Sequence, residues 1–166
     1  MKTLNQYIKE KLIINKDYVD VNMLIPKSFD ELRKIIEDRY NKLGPGTEQN
    51  HIDFNDIAVS NLDSFYSNTY YRGLFEGTNF KYIDISSWDV SNVTHMGSMF
   101  FKCEVLKSVG DISGWNVSNV IDMSYMFAFC KKFNQDLSSW DVSKVRDKTG
   151  IFDCCPIERE YMPNFK

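Results

Sequence analysis

Apolar and polar positions repeat along the later part of the chain at intervals of 27 and 25 residues. The octet SSWDVSNV returns twice with small changes, and a phenylalanine and a cysteine follow each copy at fixed distances. These rows are Trp88, Trp115 and Trp140; Phe100, Phe127 and Phe152; and Cys103, Cys130 and Cys155. Periods of roughly 20–50 residues indicate units that become stable only by packing on their neighbours.

One more copy, with a weaker match, lies upstream, where IDFNDIAVSNL matches IDISSWDVSNV at five positions. The array then runs from about Ile52 to Ile157, and the upstream copy is interrupted by the extra segment Ser64–Tyr71. In chain order we refer to a first, second, third and fourth copy. They span residues 53–83, 84–110, 111–135 and 136–157.

Each copy predicts the same local elements. The D-I-S-x-W segment alternates apolar and polar side chains, which is typical of a short half-buried strand. V-S-N-V predicts a turn in which the asparagine amide bonds neighbouring backbone groups. M-x-x-M-F-x-x-C has apolar residues three and four apart, as one helical turn does. The pattern therefore predicts an α/β repeat solenoid of about four rungs with a parallel sheet.

The motif S-S-W-D-V-S-N-V-T-x-M-x-x-M-F-x-x-C, together with CKKFNQDLSSW at 130–140, resembles the repeat of BspA-like bacterial leucine-rich-repeat surface proteins. The resemblance covers about 105 of the 166 residues. It implies a right-handed leucine-rich-repeat-like fold, a role in adhesion or protein–protein contact, and no catalytic residues. Some members of the family are encoded by phages or mobile elements, so a phage origin is one expectation for this chain.

The first 50 residues lie outside the resemblance, and their pattern predicts helices. Thr3–Leu12 has one apolar face. A capping box at Ser28 starts a second helix, which Gly44 and Pro45 should end. We expect this second helix to cap the open end of the solenoid. Alternatively, Met1–Asn22 docks the chain to a larger assembly.

The far end of the array also has the features of a cap. Lys144 and Lys148 stand where the third copy has asparagine and methionine, and buried charges there would be costly. Tyr161, Met162 and Phe165 are expected to fold over the exposed edge. The predicted domains are a helical segment at 1–50, the solenoid at 51–157 and a cap tail at 158–166.

Charge and hydropathy narrow the function classes. Twenty basic and 23 acidic residues give a net charge of −3, which does not suggest a nucleic-acid binder. No run of 18 apolar residues is present, so no membrane span is predicted. The first residues lack the apolar core of a signal peptide. We therefore expect the protein in a cytoplasm or on a particle, such as a virion, assembled there.

No catalytic or metal-binding motif emerges from the sequence. Recurring aspartates, such as Asp84 and Asp111, predict turn bonds, because acid–base catalysis needs two carboxyl groups in unlike environments. The cysteines lack zinc-site spacing and are expected to be buried core thiols. We therefore predict no enzyme activity, no metal and no cofactor.

The extra segment Ser64–Tyr71 is the first candidate binding site. Insertions in repeat arrays often form loops on a binding face, and tyrosine is favoured in recognition loops. The candidate residues are Tyr66, Tyr70 and Tyr71, with Ser87, Gly114 and Ser139 on exposed strand positions as a second candidate. The alternative is that these tyrosines pack between the cap helix and the first rung.

The sequence thus favours a non-enzymatic module for protein interaction or structure, with a protein as the expected partner. An adhesin-type module that binds a host surface protein or a glycan is the first alternative. An intracellular inhibitor that sequesters a protein target is the second.

Overall fold

The protein is described here from a computed structural model, which covers residues 23–68 and 72–165. Its regular elements are, in chain order, α1 (Phe29–Leu43), β1 (Ile52–Asp53), β2 (Tyr66–Ser67), β3 (Arg72–Gly73), β4 (Ile83–Asp84) and a 3-10 helix at Arg159–Tyr161. β1 pairs with β4 in parallel, with Ile52 opposite Ile83. β2 and β3 form an antiparallel hairpin, with Tyr66 opposite Gly73.

The prediction of a right-handed, leucine-rich-repeat-like α/β solenoid is wrong. In the described ranges there is one α-helix, and the strands are two residues long in two separate two-stranded sheets. The four sequence copies do not each form a strand and a helical turn. The protein is a small mixed fold, and the helix expected as a solenoid cap is instead part of that fold.

Turn chemistry explains why the predicted strands do not form. In D-I-S-x-W of the second copy, the Asp84 carboxylate accepts a hydrogen bond from the Ser86 amide at 3.0 Å and from its hydroxyl at 2.7 Å. Such local bonds to the backbone compete with a sheet ladder. The strand signal is therefore reduced to two residues at the start of the first and second copies, and the D-I-S-x-W segments of the third and fourth copies form no strand.

The predicted helical turns fail for a related reason. In the second copy, Ser98 and Lys102 have φ values of 55° and 57°, and in the third copy Tyr125 and Phe129 have 54° and 62°. A residue in this left-handed region cannot continue a right-handed helix. The apolar spacing of three and four residues thus marks a series of tight turns with one buried side.

Helix α1 has the predicted boundaries. The Ser28 hydroxyl accepts from the Glu31 amide at 3.2 Å, and Gly44 ends the helix at φ 77°. Both features are standard helix-capping chemistry. Leu32 and Ile36 on one face of α1 are fully buried in the core. The segment Thr3–Leu12 lies outside the described residues.

The predicted row of phenylalanines is confirmed and forms the centre of one hydrophobic core. Phe75, Phe100, Phe127 and Phe152 follow one another with ring centroids 5.3, 5.2 and 5.8 Å apart. The tryptophans behave differently. Trp115 and Trp140 are parallel at 6.2 Å, whereas Trp88 packs on Phe65 and Phe75.

Backbone hydrogen bonds join neighbouring copies in both directions. Amides such as those of Ile121 and Arg146 donate back to the preceding copy, whereas one set of rows points uniformly to the following copy. In these rows, alternate amides of one copy donate to alternate carbonyls of the following copy. The bonds run from Ser98 to Ser124, Phe100 to Met126, Lys102 to Ala128, Tyr125 to Thr149, Phe127 to Ile151 and Phe129 to Asp153, at 2.7–2.9 Å. In these rows the amides therefore face the fourth copy and the carbonyls face the first.

Asparagine side chains add a second set of bonds between copies, as the sequence predicted. The Nδ2 groups of Asn61, Asn92 and Asn119 donate to the carbonyls of Pro26, Ser60 and Ser91 at 2.7–2.9 Å. In the fourth copy, Lys144 stands at this position, and its Nζ donates to Asn119 Oδ1 at 2.8 Å. The asparagines thus fix the turns of adjacent copies against each other.

At the amino-terminal side, Arg33 of α1 binds the first copy. Its guanidinium donates to the carbonyls of Gly73 at 2.9 Å, Leu74 at 2.5 Å and Glu76 at 3.3 Å. Burial and the nearby Arg72 lower the pKa of Arg33, and Glu37 opposes this through an ion pair at 3.1 Å. Arg33 is 8% exposed, so these backbone acceptors are satisfied by a buried cation.

Candidate binding surfaces

The recurring aspartates build turns, as the sequence predicted. Asp111 and Asp136 accept from the amides of Ser113 and Ser138 at 3.1 and 2.9 Å, in the same way as Asp84. At a second recurring position, Asn116 makes the bond to Ser118 that Asp89 makes to Ser91. Because a neutral amide can replace the carboxylate there, the bond is structural and needs no charge.

Hydrogen bonding keeps these carboxylates ionised. The Ser113 and Ser138 hydrogen bonds lower the pKa of Asp111 and Asp136. For Asp84, partial burial acts to raise the pKa, but the bonds from Ser86 and Asn55 outweigh it and the pKa is lowered. A carboxylate held in its charged form is a poor general acid, since that role needs a raised pKa.

The predicted strand-side candidates lie on the surface among these turns. Ser87 is exposed, and its amide donates to Asn55 Oδ1 at 2.9 Å. Ser139 is exposed, and its hydroxyl donates to the Ser113 carbonyl at 2.8 Å. Gly114 is also exposed. The structure thus places Ser139 beside the third copy and Ser87 beside the first, and each already has a polar partner.

The predicted tyrosine site is described only at Tyr66. Tyr66 lies in β2, is half-buried, and its amide and carbonyl both bond to the Ser64 hydroxyl, at 3.0 and 2.8 Å. Tyr70 and Tyr71 lie outside the described residues. The extra segment therefore contains β2, whose partner strand β3 follows the segment, and its role in binding stays a prediction.

The thiols divide into buried and exposed groups. Cys103 and Cys130 are fully buried, as predicted, and burial raises the pKa of both, for Cys103 to about 12. Cys155 is only half-buried, so the prediction of a buried thiol is wrong there, and Cys154 is exposed. Among the described residues, no group of three or more potential metal ligands is clustered.

Sequence reasoning missed an exposed aromatic surface on the second and third copies. We define the aromatic patch as Phe101, Tyr125 and Phe129, with Lys102 beside them. Phe101 is edge-on to Tyr125 at 6.2 Å and to Phe129 at 5.8 Å between ring centroids. The Lys102 ammonium lies 4.9 Å from the Phe101 ring. Tyr125 is 41% exposed, and the two phenylalanines are half-buried.

Two rings of the aromatic patch occupy backbone positions that favour glycine. Tyr125 and Phe129 have positive φ, which costs roughly 1–2 kcal/mol in a residue with a Cβ. Gly150 holds the position of Tyr125 in the fourth copy, and Gly77 holds that of Phe129 in the first, both at positive φ. Retaining large rings at such positions is unfavourable for the backbone, so the rings themselves need an explanation.

The absence of a side chain at Gly150 makes room for the Tyr125 ring. A Cβ added at Gly150 would lie 2.5 Å from that ring. Alignment of the copies could have revealed this site, because tyrosine and phenylalanine stand in the third copy where other copies have glycine, serine, lysine or cysteine. The positive φ that gives this difference its meaning is visible only in the structure.

Comparison with known proteins gives one family. The family described as "Mycoplasma protein of unknown function, DUF285" matches residues 48–160. No curated protein matches the chain, and no solved structure matches it. In the described part of the chain, no helix has the length and apolarity needed to cross a membrane.

The family match covers about two thirds of the sequence, from just before β1 to the 3-10 helix, and includes all four copies and the aromatic patch. It is consistent with the resemblance to BspA-like proteins. The chain belongs to the family described as Mycoplasma protein of unknown function, DUF285.

Proposed function

We propose that the protein is a non-enzymatic module that binds another protein through the aromatic patch. The observation that supports this most directly is the pair of rings at positive φ, Tyr125 and Phe129, on the surface of an otherwise well-packed body. Rigid aromatic side chains beside a cation are typical anchors of protein interfaces. The extra segment at Tyr66, Tyr70 and Tyr71, and the surface at Ser87 and Ser139, are secondary candidates.

Glycine substitution at two equivalent positions tests this proposal. Tyr125→Gly removes the ring and relieves the left-handed backbone, so the fold should be retained. Ser98→Gly makes the same backbone change at φ 55° in the second copy, outside the aromatic patch. We expect affinity capture followed by mass spectrometry to recover a protein with the parent chain and with Ser98→Gly, but not with Tyr125→Gly.

Three results would point elsewhere. Equal capture by both variants would remove the aromatic patch as the principal site and leave the tyrosine segment as the next candidate. Capture of a glycan on an array, lost in Tyr125→Gly, would favour the adhesin-type alternative. A captured enzyme whose activity the protein blocks would favour the inhibitor alternative.

The finer affiliation is also a proposal. We infer that the chain is related to the short-repeat type of BspA-like surface proteins, with a phage or mobile element as its source, and that it works in a cytoplasm or on a particle. The quoted repeat motif supports the affiliation. The neighbouring genes test the source, and fractionation of producing cells and purified particles tests the location.

A further inference from the structure

In the part of the chain that the structure describes, the last members of the amide rows have no acceptor. Gly150, Phe152 and Cys154 of the fourth copy correspond to Tyr125, Phe127 and Phe129 of the third, whose amides all bond to the following copy. We define the amide row as the backbone N–H groups of Gly150, Phe152 and Cys154. Within residues 23–68 and 72–165, none of these three amides donates a hydrogen bond.

The edge formed by the amide row offers donors without acceptors. The carbonyls of Gly150 and Phe152 are already bonded to the amides of Asp153 and Cys155, at 3.1 and 3.0 Å. The carbonyls of Ile151 and Asp153 accept from the third copy. An occupant must therefore bring oxygen acceptors in a row and no amides of its own.

This requirement excludes two common ways of covering an edge. A symmetric dimer of this protein, paired through the amide rows of its two protomers, would place donors against donors. An extended strand presents amides and carbonyls alternately on each edge, so it would bring unpaired donors to the row. A carboxylate is complementary to the amide row, because an ionised carboxylate has acceptors only.

Charge near the amide row points the same way. Lys144, Arg146 and Lys148 precede the row in the fourth copy and are exposed, although the chain as a whole is acidic. Two acidic residues lie in the same region, Asp147 and Asp153, and Asp147 already accepts from the Thr149 amide at 2.9 Å. Cys154 is exposed, while Gly150 and Phe152 are half-buried, so the row is partly open to solvent.

We propose that the amide row, preceded in the fourth copy by the exposed Lys144 and Arg146, binds an acidic segment of a protein partner, whose carboxylates accept from Gly150, Phe152 and Cys154. The inference rests on the proposed function as a protein-binding module and adds a second surface and the chemistry of the segment that it takes. It does not require the aromatic patch to be the principal site.

Amide NMR of the full ¹⁵N-labelled protein tests the inference directly. The probe is a short synthetic peptide of glutamate and glycine, and its control replaces every glutamate by glutamine. The acidic peptide should shift the Gly150, Phe152 and Cys154 amides in a saturable way that added salt reverses. The Tyr125, Phe127 and Phe129 amides are matched internal controls and should stay in place, because they already donate.

Three results of this titration would overturn the inference. They are no response of the amide row, an equal response to the glutamine peptide, and shifts of the internal controls as large as those of the row. Inorganic phosphate is the fourth arm: if it shifts the row as strongly as the peptide does at equal charge, the edge is a simple anion site and not a docking surface.

A charge-reversal pair adds a second measurement. Arg146→Glu should weaken binding of the acidic peptide about threefold or more, because a rim charge contributes modestly at high dielectric. Lys34→Glu makes the same change on the exposed side of α1, away from the row, and should leave the affinity nearly unchanged. Equal losses of peptide affinity in both variants would mean that the effect comes from net charge alone, and would contradict the proposed site.

This design separates failure of the inference from failure of the proposed function. If Tyr125→Gly abolishes partner capture while the peptide leaves the amide row unmoved, the aromatic patch stands and the second surface is wrong. If the peptide moves the row but Tyr125→Gly has no effect on capture, the amide row becomes the principal binding surface.

Discussion

The two ends of the array satisfy the backbone in different ways. At the first copy, the Arg33 guanidinium supplies three hydrogen bonds to carbonyls from within the chain. At the fourth copy, Gly150, Phe152 and Cys154 keep their amides unpaired within the described residues. One end is therefore closed by a buried side chain, whereas the other offers donors to solvent or to a partner.

The carboxyl-terminal tail does not remove this difference. The Leu137 amide donates to the Tyr161 carbonyl at 2.8 Å, and Tyr161, Met162 and Phe165 pack on the core, as the sequence predicted for the tail. The tail thereby protects the start of the fourth copy. Among the described residues, the amide row at the end of that copy keeps donors without acceptors, so covering apolar surface and satisfying backbone groups are separate requirements.

Truncation of two equivalent phenylalanines should give the largest difference between the interior and the open end. Phe127 is fully buried, so Phe127→Ala should destabilise the protein by ~3–5 kcal/mol. Phe152 is half-buried at the end of the same row, so Phe152→Ala should cost about half as much or less. Urea denaturation of both variants measures this, and equal losses would mean that the fourth copy is as enclosed as the third.

Removal of the buried cation should have the next largest effect. Arg33→Met removes the guanidinium donor from the carbonyls of Leu74 and Glu76 and leaves the Gly73 carbonyl with the Glu76 amide alone, so the free energy of unfolding should fall by roughly 2–4 kcal/mol. Lys34→Met, on the exposed side of α1, should change it by less than about 0.5 kcal/mol. If the two variants melt together, Arg33 does not close this end.

Thiol reactivity should distinguish the buried interior from the open end at the fourth copy without any substitution in the core. Under native conditions an alkylating reagent should modify Cys154 first and Cys155 more slowly, because burial raises the pKa of Cys155. Cys103 and Cys130 should react only after unfolding, since thiolate formation is disfavoured in the core. Mass spectrometry of Cys154→Ser provides the control, and early modification of Cys103 would contradict the buried assignment.

Acid should have the smallest effect and should act on the copies more than on α1. Hydrogen bonds lower the pKa of Asp111, Asp136 and Asp147 in the folded state. The stability that these three carboxylates contribute is therefore present above the unfolded-state pKa of about 3.9. It is lost as the pH falls through their folded-state pKa values. Arg33 keeps its charge throughout this range. Denaturation midpoints should therefore be steady between about pH 5 and 7 and fall below about pH 4.

Substituting one turn aspartate sharpens the acid experiment. Asp136→Asn keeps an oxygen for the Ser138 amide, as Asn116 does for Ser118, but removes the titrating group. This variant should lose less stability than the parent between pH 5 and 3. An unchanged acid response would place the sensitivity in other carboxylates.

The sequence predicted what depends on local chemistry. The cap at Ser28, the end of α1 at Gly44 and the asparagine bonds each follow from one residue type and its nearest backbone groups. The phenylalanine row follows from spacing alone. These features require no knowledge of the backbone path between the copies.

The other features of the fold and of the candidate site depend on the backbone path between the copies. The strand and helix signals in each copy were real periodicities, but Asp84 and its equivalents bind their own turns, and left-handed residues such as Ser98 interrupt any helix. The aromatic patch was hidden because Tyr125 and Phe129 are unusual only once their φ values are known. From the sequence alone, Arg33 is expected on the exposed face of α1, because the three carbonyls that it binds are about 40 residues away.

The uniform direction of the bonds in the rows that end at Gly150, Phe152 and Cys154 has an electrostatic consequence. Peptide dipoles that are aligned in rows add together, as they do along an α-helix, and leave partial charges of opposite sign at the two ends. The negative pole then lies at Gly73–Glu76, where the Arg33 guanidinium neutralises it, and the positive pole lies at Gly150–Cys154. A molecule with a single described α-helix thus carries a directed field, which would guide approaching anionic groups to the fourth copy.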